Sequence, residues 1–267
     1  MPQALKMFFI NTGNVYLDAG AAALLNWVTA LVFLVPLLIF ARLFTRVRKI
    51  QRRRRDWSVL RHELLWSALT GAVVVLALKY SYTLLVTKGY LRLNSAPASW
   101  YVVLFEFAFF VLVFDFYFYV VHRLIHVEPL YTWIHKVHHR STAPIPLTNL
   151  STHPVEGLVE AAFTPVFLTA FTVHEASIPF ILPYLIIMGF IAHCGYEFAP
   201  KWWYRSWATK WIMTPLFHDQ HHRYFKFNYG HMAIWDRVFG TLRPQFEEDM
   251  EKLCSGPVTP DQELEVA

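Results

Sequence analysis

The stretch YVVLFEFAFFVLVFDFYFYVVHRLIH, residues 101–126, carries only two charged side chains, Glu106 and Asp115, before it ends in two histidines four residues apart. At 1.5 Å of rise per residue, about 20 residues cross a bilayer core of roughly 30 Å, so residues 101–121 read as a membrane-crossing helix. His122 and His126 then stand at its mouth, on one face and one turn apart. A greasy span that delivers paired imidazoles to a membrane surface decides both the fold class and the place of the chemistry.

The rest of the chain agrees with that start. Of 267 residues, 55% are hydrophobic and 16% charged, which is a membrane composition rather than a soluble one. Residues 21–41 carry no charge and give a first span; a polar stretch before it and an Arg-rich one behind it reverse the order of a signal peptide. Residues 64–86 give a second span, interrupted only by Lys79, which either snorkels or faces other helices. Between them, residues 42–61 hold nine Arg and Lys, and their juxtamembrane place marks the cytoplasmic side and an anionic lipid surface rather than nucleic acid. Two further apolar runs, 158–173 and 178–192, contain Pro165, Pro179 and Pro183 and are each short for a full crossing, so they read as a hairpin that enters and returns. Counting crossings puts the chain before and after this hairpin on the same face as His122 and His126.

Two end segments complete the expectation. KWWYRSWATKWIMTPLF, residues 201–217, spaces Trp203, Trp207 and Trp211 four apart and predicts an interfacial helix. Residues 243–267 turn acidic and read as a solvated, partly disordered tail. Cys194 and Cys254 form no Cys-x-x-Cys pattern and no disulfide framework. The expected organisation is an N-terminal span and basic linker at 1–62, a membrane-embedded histidine-bearing domain at 63–242, and the tail at 243–267.

Thirteen histidines occur, and eight fall into three tight groups: His122 and His126; His135, His138 and His139; His218, His221 and His222. Offsets of three and four aim the imidazoles of each group at a common point if the group is helical. Imidazolium groups packed so closely repel, and neutral ones still need partners for their nitrogens; metal coordination meets both demands. Eight donors exceed the needs of one tetrahedral ion, so two ions with four or five ligands each are expected. His153 in STHPVE and His193 in IAHCGYE are the ninth and tenth candidates, while His62, His174 and His231 stand apart. Asp115, Glu156, Glu197 and Asp219 lie at offsets suited to receive the free N–H of a ligating imidazole.

HRLIH, HKVHH, STHPVE, AHCGYE and FHDQHH, followed by NYGHMAIWDRVFGT, resemble the fatty acid hydroxylase and sterol desaturase superfamily in order and spacing over roughly residues 105–242. The resemblance implies an all-α, polytopic membrane bundle with a cytoplasmic histidine-rich helical cap. It implies a non-haem di-iron, O₂-dependent oxidoreductase that hydroxylates or desaturates a lipid such as a sterol or fatty acyl chain. Iron ligation is carried onto His122, His126, His135, His138, His139, His218, His221 and His222, with His153 and His193 at less uniform positions.

With no haem-binding domain, dinucleotide loop or ferredoxin-type cysteine run in the sequence, electrons are expected from a separate donor: a b-type cytochrome, a ferredoxin or a reductase. Imidazole also suits zinc, so protein made in a foreign host could contain zinc at the same positions. The site is expected at the cytoplasmic face of the endoplasmic reticulum in a eukaryote or of the inner membrane in a bacterium. Two other readings stay open at this stage, a histidine-lined divalent metal transporter and a non-catalytic metal-binding membrane protein.

Overall fold

The computed structural model describes residues 12–43, 48–51 and 56–255. Much of the basic segment, residues 44–47 and 52–55, and the end of the acidic tail, 256–267, lie outside the described residues. The fold is all-α. Helix α1 (Val15–Leu43) encloses the expected first span, α2 (Trp57–Thr87) the second and α3 (Trp100–Ile125) the third. A single turn, α4 (Leu130–Trp133), leads into a 3₁₀ helix, His135–Arg140. The hairpin follows as α5 (Pro154–Ala170) and α6 (Ile178–Ala192), and three short helices close the cap: α7 (Pro215–Tyr224), α8 (Ile234–Val238) and α9 (Phe246–Ser255). Among the described residues, Trp57–Thr87, Trp100–Ile125 and Glu175–Ala192 are long and apolar enough to cross a membrane. One arm of the hairpin, with its 3₁₀ lead-in, therefore has the length that the apolar run alone lacked.

Several polar side chains buried in the bundle are paired, which offsets the cost of burial in an apolar medium. Lys79 of α2 points at α1, where Asp18 holds it at 2.5 Å. At the end of the bundle away from the histidines, Glu106 of α3 accepts the His174 backbone N–H at 3.0 Å, the His174 Nδ1 hydrogen at 2.8 Å and the Ser177 hydroxyl at 2.5 Å. That cluster fastens the turn of the hairpin to α3. Between the two ends, Phe110 and Phe114 meet Phe163 edge-on, with centroids 5.5 and 5.3 Å apart, and Phe110 meets Phe167 at 5.1 Å. These T-shaped pairs lock α3 onto α5.

The cap is tied to the bundle by two short strands, β1 (Arg48–Lys49) and β2 (Tyr196–Glu197), paired antiparallel with Arg48 opposite Glu197 and Lys49 opposite Tyr196. Glu63 of α2, fully buried, receives the hydroxyls of Ser141 and Thr148, each at 2.6 Å. The start of α2, the end of α3, the start of α5 and the end of α6 thus meet at one end of the bundle.

Two local expectations are corrected. Residues 201–212 form a run of turns, not an interfacial helix. The Thr209 hydroxyl takes the Trp203 carbonyl at 2.6 Å, the acceptor a helix would offer to residue 207, and the stripe is broken: Trp207 is exposed while Trp203 packs on the cap core. Residues 246–255 form an ordered helix where a solvated tail was expected. Phe246, Met250 and Cys254 repeat every four residues and bury one face of α9 beside Leu216 and Phe217.

Candidate metal centre

Each histidine group owes its position to a local signal. His122 and His126 end α3, His126 being its C-cap. Thr214 caps α7 by accepting the Phe217 N–H at 3.4 Å, with Pro215 at the first helical position, so His218, His221 and His222 fall on a regular α-helix. His135, His138 and His139 lie on a 3₁₀ helix instead of the α-helix their spacing suggested.

The groups do not each serve one point. Ring nitrogens of His122, His126, His135, His139 and His221 form one cluster, and those of His138, His193, His218 and His222 a second; within each, the donor atoms lie within 4.8 Å of one another. The second and third sequence groups are therefore split between clusters, adjacent residues going to opposite sides. Rings from the two clusters touch: His138 and His139 have centroids 5.8 Å apart, and His139 and His222 4.9 Å. The arrangement gives five donors and four, within the expected range. His153 joins neither cluster; its Nδ1 accepts the Val155 N–H at 3.2 Å and caps α5, and its ring packs 5.5 Å from that of Trp66.

Hydrogen bonds on the outer edge of the rings fix what the inner edge presents. Nδ1 of His122 donates to Tyr229 O at 2.7 Å, His138 to Ser151 O at 3.3 Å, His193 to Gly189 O at 2.7 Å, His221 to Phe227 O at 2.7 Å, and His222 to Ser141 O at 2.9 Å. His135 Nδ1 donates to Glu156 Oε1 at 2.8 Å. A carbonyl has no proton to give, so each of these carbonyl-bound Nδ1 atoms bears the hydrogen and each Nε2 offers a lone pair. Nε2 atoms then face one another at close range. His193 stands 3.3 Å from His138, 2.9 Å from His218 and 3.2 Å from His222. In the other cluster, His122 to His135 is 3.1 Å, His126 to His221 3.1 Å and His139 to His221 3.0 Å.

Such lone pairs repel unless a cation lies among them. A metal–nitrogen bond of about 2.0–2.1 Å puts adjacent tetrahedral donors about 3.3 Å apart and adjacent octahedral ones about 2.9 Å apart. The observed spacings are those of a coordination polyhedron, so the residues fit metal ions. Protons are poor substitutes. Burial first, and neighbouring imidazoles second, hold His135, His139, His218 and His221 well below the ordinary histidine pKa, and burial takes His138 down to about 4.

Of the four acids expected behind the ligands, Glu156 alone receives an imidazole N–H. Asp219 accepts the Gln51 amide at 2.7 and 2.8 Å, which ties the linker to α7. Glu197 accepts the N–H groups of Ala199 and Leu216 at 2.7 and 3.0 Å, and Asp115 that of Met232 at 2.7 Å. Glu197 and Asp115 thus hold backbone in place, and Asp219 a side chain. Replacing Glu156 by Gln keeps the shape but weakens the bond to His135. It is expected to lower metal affinity of the five-histidine cluster roughly 10- to 100-fold while leaving the other cluster filled, as read by metal titration with a competing chelator.

Sequence reasoning passed over two features. His231 lies beside the centre, its ring 5.5 Å from Phe118 and 5.2 Å from Phe114. Both clusters also border one cavity of about 490 Å³, lined by His122, His135, His138, His193 and His218 together with apolar side chains such as Leu78 and Leu185. Its mostly apolar wall comes chiefly from α2, α3, α5 and α6.

Fold and site together define an all-α membrane protein with a histidine-built metal-binding centre. The sequence model of the fatty acid hydroxylase family matches residues 107–241, just over half of the chain, and the chain belongs to that family. It is 35% identical over 140 residues to fatty acid hydroxylase domain-containing protein 2 of Homo sapiens, covering 52% of this chain and 38% of that one. It is 28% identical over 168 residues to a Delta(7)-sterol-C5(6)-desaturase of Nicotiana tabacum, covering 58% and 53%. Over 130 residues it is 35% identical to a very-long-chain aldehyde decarbonylase of Oryza sativa subsp. indica, covering 45% and 21%. The chain thus spans about half or less of the length of these relatives. No solved structure matches it at a significant level.

Proposed function

We propose that this protein is an O₂-dependent di-iron oxidoreductase that hydroxylates or desaturates a lipid drawn from the membrane. The observation that carries the reading is the convergence of nine Nε2-bearing rings into two touching clusters that open on one apolar cavity. His122, His126, His135, His139 and His221 would hold one iron and His138, His193, His218 and His222 the other. The pair would supply the activation of O₂ that attack on an unactivated C–H bond demands.

The protein's own residues do the remainder. Carbonyls of Tyr229, Ser151, Gly189, Phe227 and Ser141 fix ring tautomers and aim, which raises ligand basicity. Val74, Leu78, Leu182 and Leu185 give the lipid a dry channel beside the centre and exclude water from it. Hydroxylation consumes R–H, O₂, two electrons and two protons and yields R–OH and water; desaturation consumes the same co-reactants and yields an alkene and two waters. The two electrons come from a separate donor. Arg123, Lys136, Arg140 and Lys226 stand exposed around the histidine end and would receive an acidic carrier. Basic residues between α1 and α2 support a cytoplasmic position for that end.

Clusters at helix ends, rather than along the spans, favour an oxygenase over a transporter. Lipid mass spectrometry of membranes with and without the protein, under O₂ and then ¹⁸O₂, tests the reading. A gain of one labelled oxygen marks hydroxylation, and loss of two hydrogens without label marks desaturation. An unchanged lipidome, together with metal flux into liposomes, would overturn it.

A further inference from the structure

The cavity wall is apolar over most of its surface, but Glu160 and His231 are ionisable side chains on it whose charge-bearing atoms make no hydrogen bond among the described residues. Glu160 stands one helical turn beyond Glu156 on the cavity face of α5 and is largely buried. The nearby Tyr117 hydroxyl gives its proton to Val159 O at 2.6 Å, so it does not serve Glu160. His231, only 8% exposed, sits among the rings of Phe114, Phe118 and Tyr184 with its Nδ1 unpaired.

Each of the two is one side chain from the five-histidine cluster. Glu160 neighbours Glu156, which holds His135; His231 packs on Phe118, whose ring lies 5.0 Å from that of His122. Buried polar groups on a mostly apolar wall carry a desolvation cost that a guest must offset with a hydrogen bond. A pure hydrocarbon chain returns no such bond, whereas a guest with a hydroxyl does. A carboxylate accepts a hydroxyl proton, and a neutral imidazole donates to or accepts from the same oxygen.

Resting on the oxygenase reading above, we propose that Glu160 and His231 form a subsite for the hydroxyl of a lipid alcohol. It seats that hydroxyl close to the five-histidine cluster and so selects which carbon is oxidised. A fatty alcohol and a sterol offer the same group, and the test separates them. Binding of radiolabelled hexadecan-1-ol and cholesterol, and of their methyl ethers, is measured on the metal-loaded, full-length protein in detergent. The ether keeps the oxygen and loses the proton.

At least one alcohol is expected to bind about tenfold or more tighter than its ether. Glu160→Leu should abolish that preference, Glu160→Gln retain part of it, and His231→Phe reduce it, each with metal content unchanged. Equal binding of alcohol and ether by the wild type would overturn the proposal. So would a preference that survives both Glu160→Leu and His231→Phe, or variants that lose metal and keep the preference. Should Glu160→Leu fail to fold, the wild-type comparison and Glu160→Gln still decide. Binding needs no turnover, so a failed oxygenase reading leaves this result standing, and a failed subsite leaves O₂-dependent product formation untouched.

Discussion

On the two-ion reading proposed above, replacing His193 by Ala is expected to remove one metal ion and end turnover, while His153→Ala leaves metal content unchanged. The two histidines looked alike in the sequence, each isolated and each followed by a glutamate three or four residues later. Structure separates them. His193 is 4% exposed, its Nδ1 is held by Gly189 O, and its Nε2 faces three others at 2.9–3.3 Å, so it completes a cluster of four. Without it three donors remain, and the outward bonds of His138 and His222 aim at a depleted site. Loss of a mere hydrogen-bond partner of a ligand typically costs 10- to 100-fold in affinity or activity, so loss of the ligand should cost more than about 100-fold. His153 uses Nδ1 to cap α5, and its removal is expected to cost about 1 kcal/mol of stability with metal content intact. Metal analysis by plasma mass spectrometry, with product assays on both variants, checks the pair. Equal metal loss in the two would contradict the assignment of clusters.

Much of the fold could be read in advance because bilayer physics writes itself into composition. Spans 64–86 and 101–121 fall within α2 and α3, and the paired runs at 158–173 and 178–192 become the α5–α6 hairpin. Local chemistry was harder to read. The Trp-rich segment has helical spacing, yet a threonine hydroxyl competes for its carbonyl, a contest that periodicity does not register. Phe246, Met250 and Cys254 did carry a readable four-residue period, hidden beneath seven acidic residues that suggested solvation.

At the centre, the histidines announced themselves by density, but the division between clusters did not. Which neighbour goes to which cluster depends on how a 3₁₀ turn and an α-helix face each other in space. Acids were the natural guess for partners of the outer ring nitrogens, yet five of the six such bonds described go to backbone carbonyls. Every residue carries a carbonyl, so sequence gives no signal for the ones that serve. Glu156 does serve an imidazole, but that of His135, 21 residues away in sequence, and not that of His153, from which its offset was counted.

Those carbonyls are held by their own support, and Asp236 is where removing it should do most harm. Fully buried, it accepts the N–H of Tyr229 at 2.8 Å, the N–H of Gly230 at 2.6 Å and the Thr241 hydroxyl at 2.6 Å. The loop so gathered aims Tyr229 O at His122 Nδ1. Its turn is also too tight for a side chain at 230, where an added Cβ would stand 2.1 Å from Met232 O. Asp236→Ala would leave two buried backbone donors unpaired, at roughly 1–3 kcal/mol each, and take from the half-buried Thr241 hydroxyl one of its two partners, the other being the Tyr119 hydroxyl. A destabilisation of about 2–6 kcal/mol follows, a large fraction of the stability of an ordinary domain. Asp236→Asn keeps two acceptor lone pairs on one oxygen and should be milder. In detergent, the alanine variant is expected to melt well below the wild type and to lose metal from the five-histidine cluster first, because His122 belongs to it and to no other. A melting temperature within a degree or two of wild type, with both ions retained, would show that the loop stands without this carboxylate and that the Tyr229 carbonyl needs no such brace.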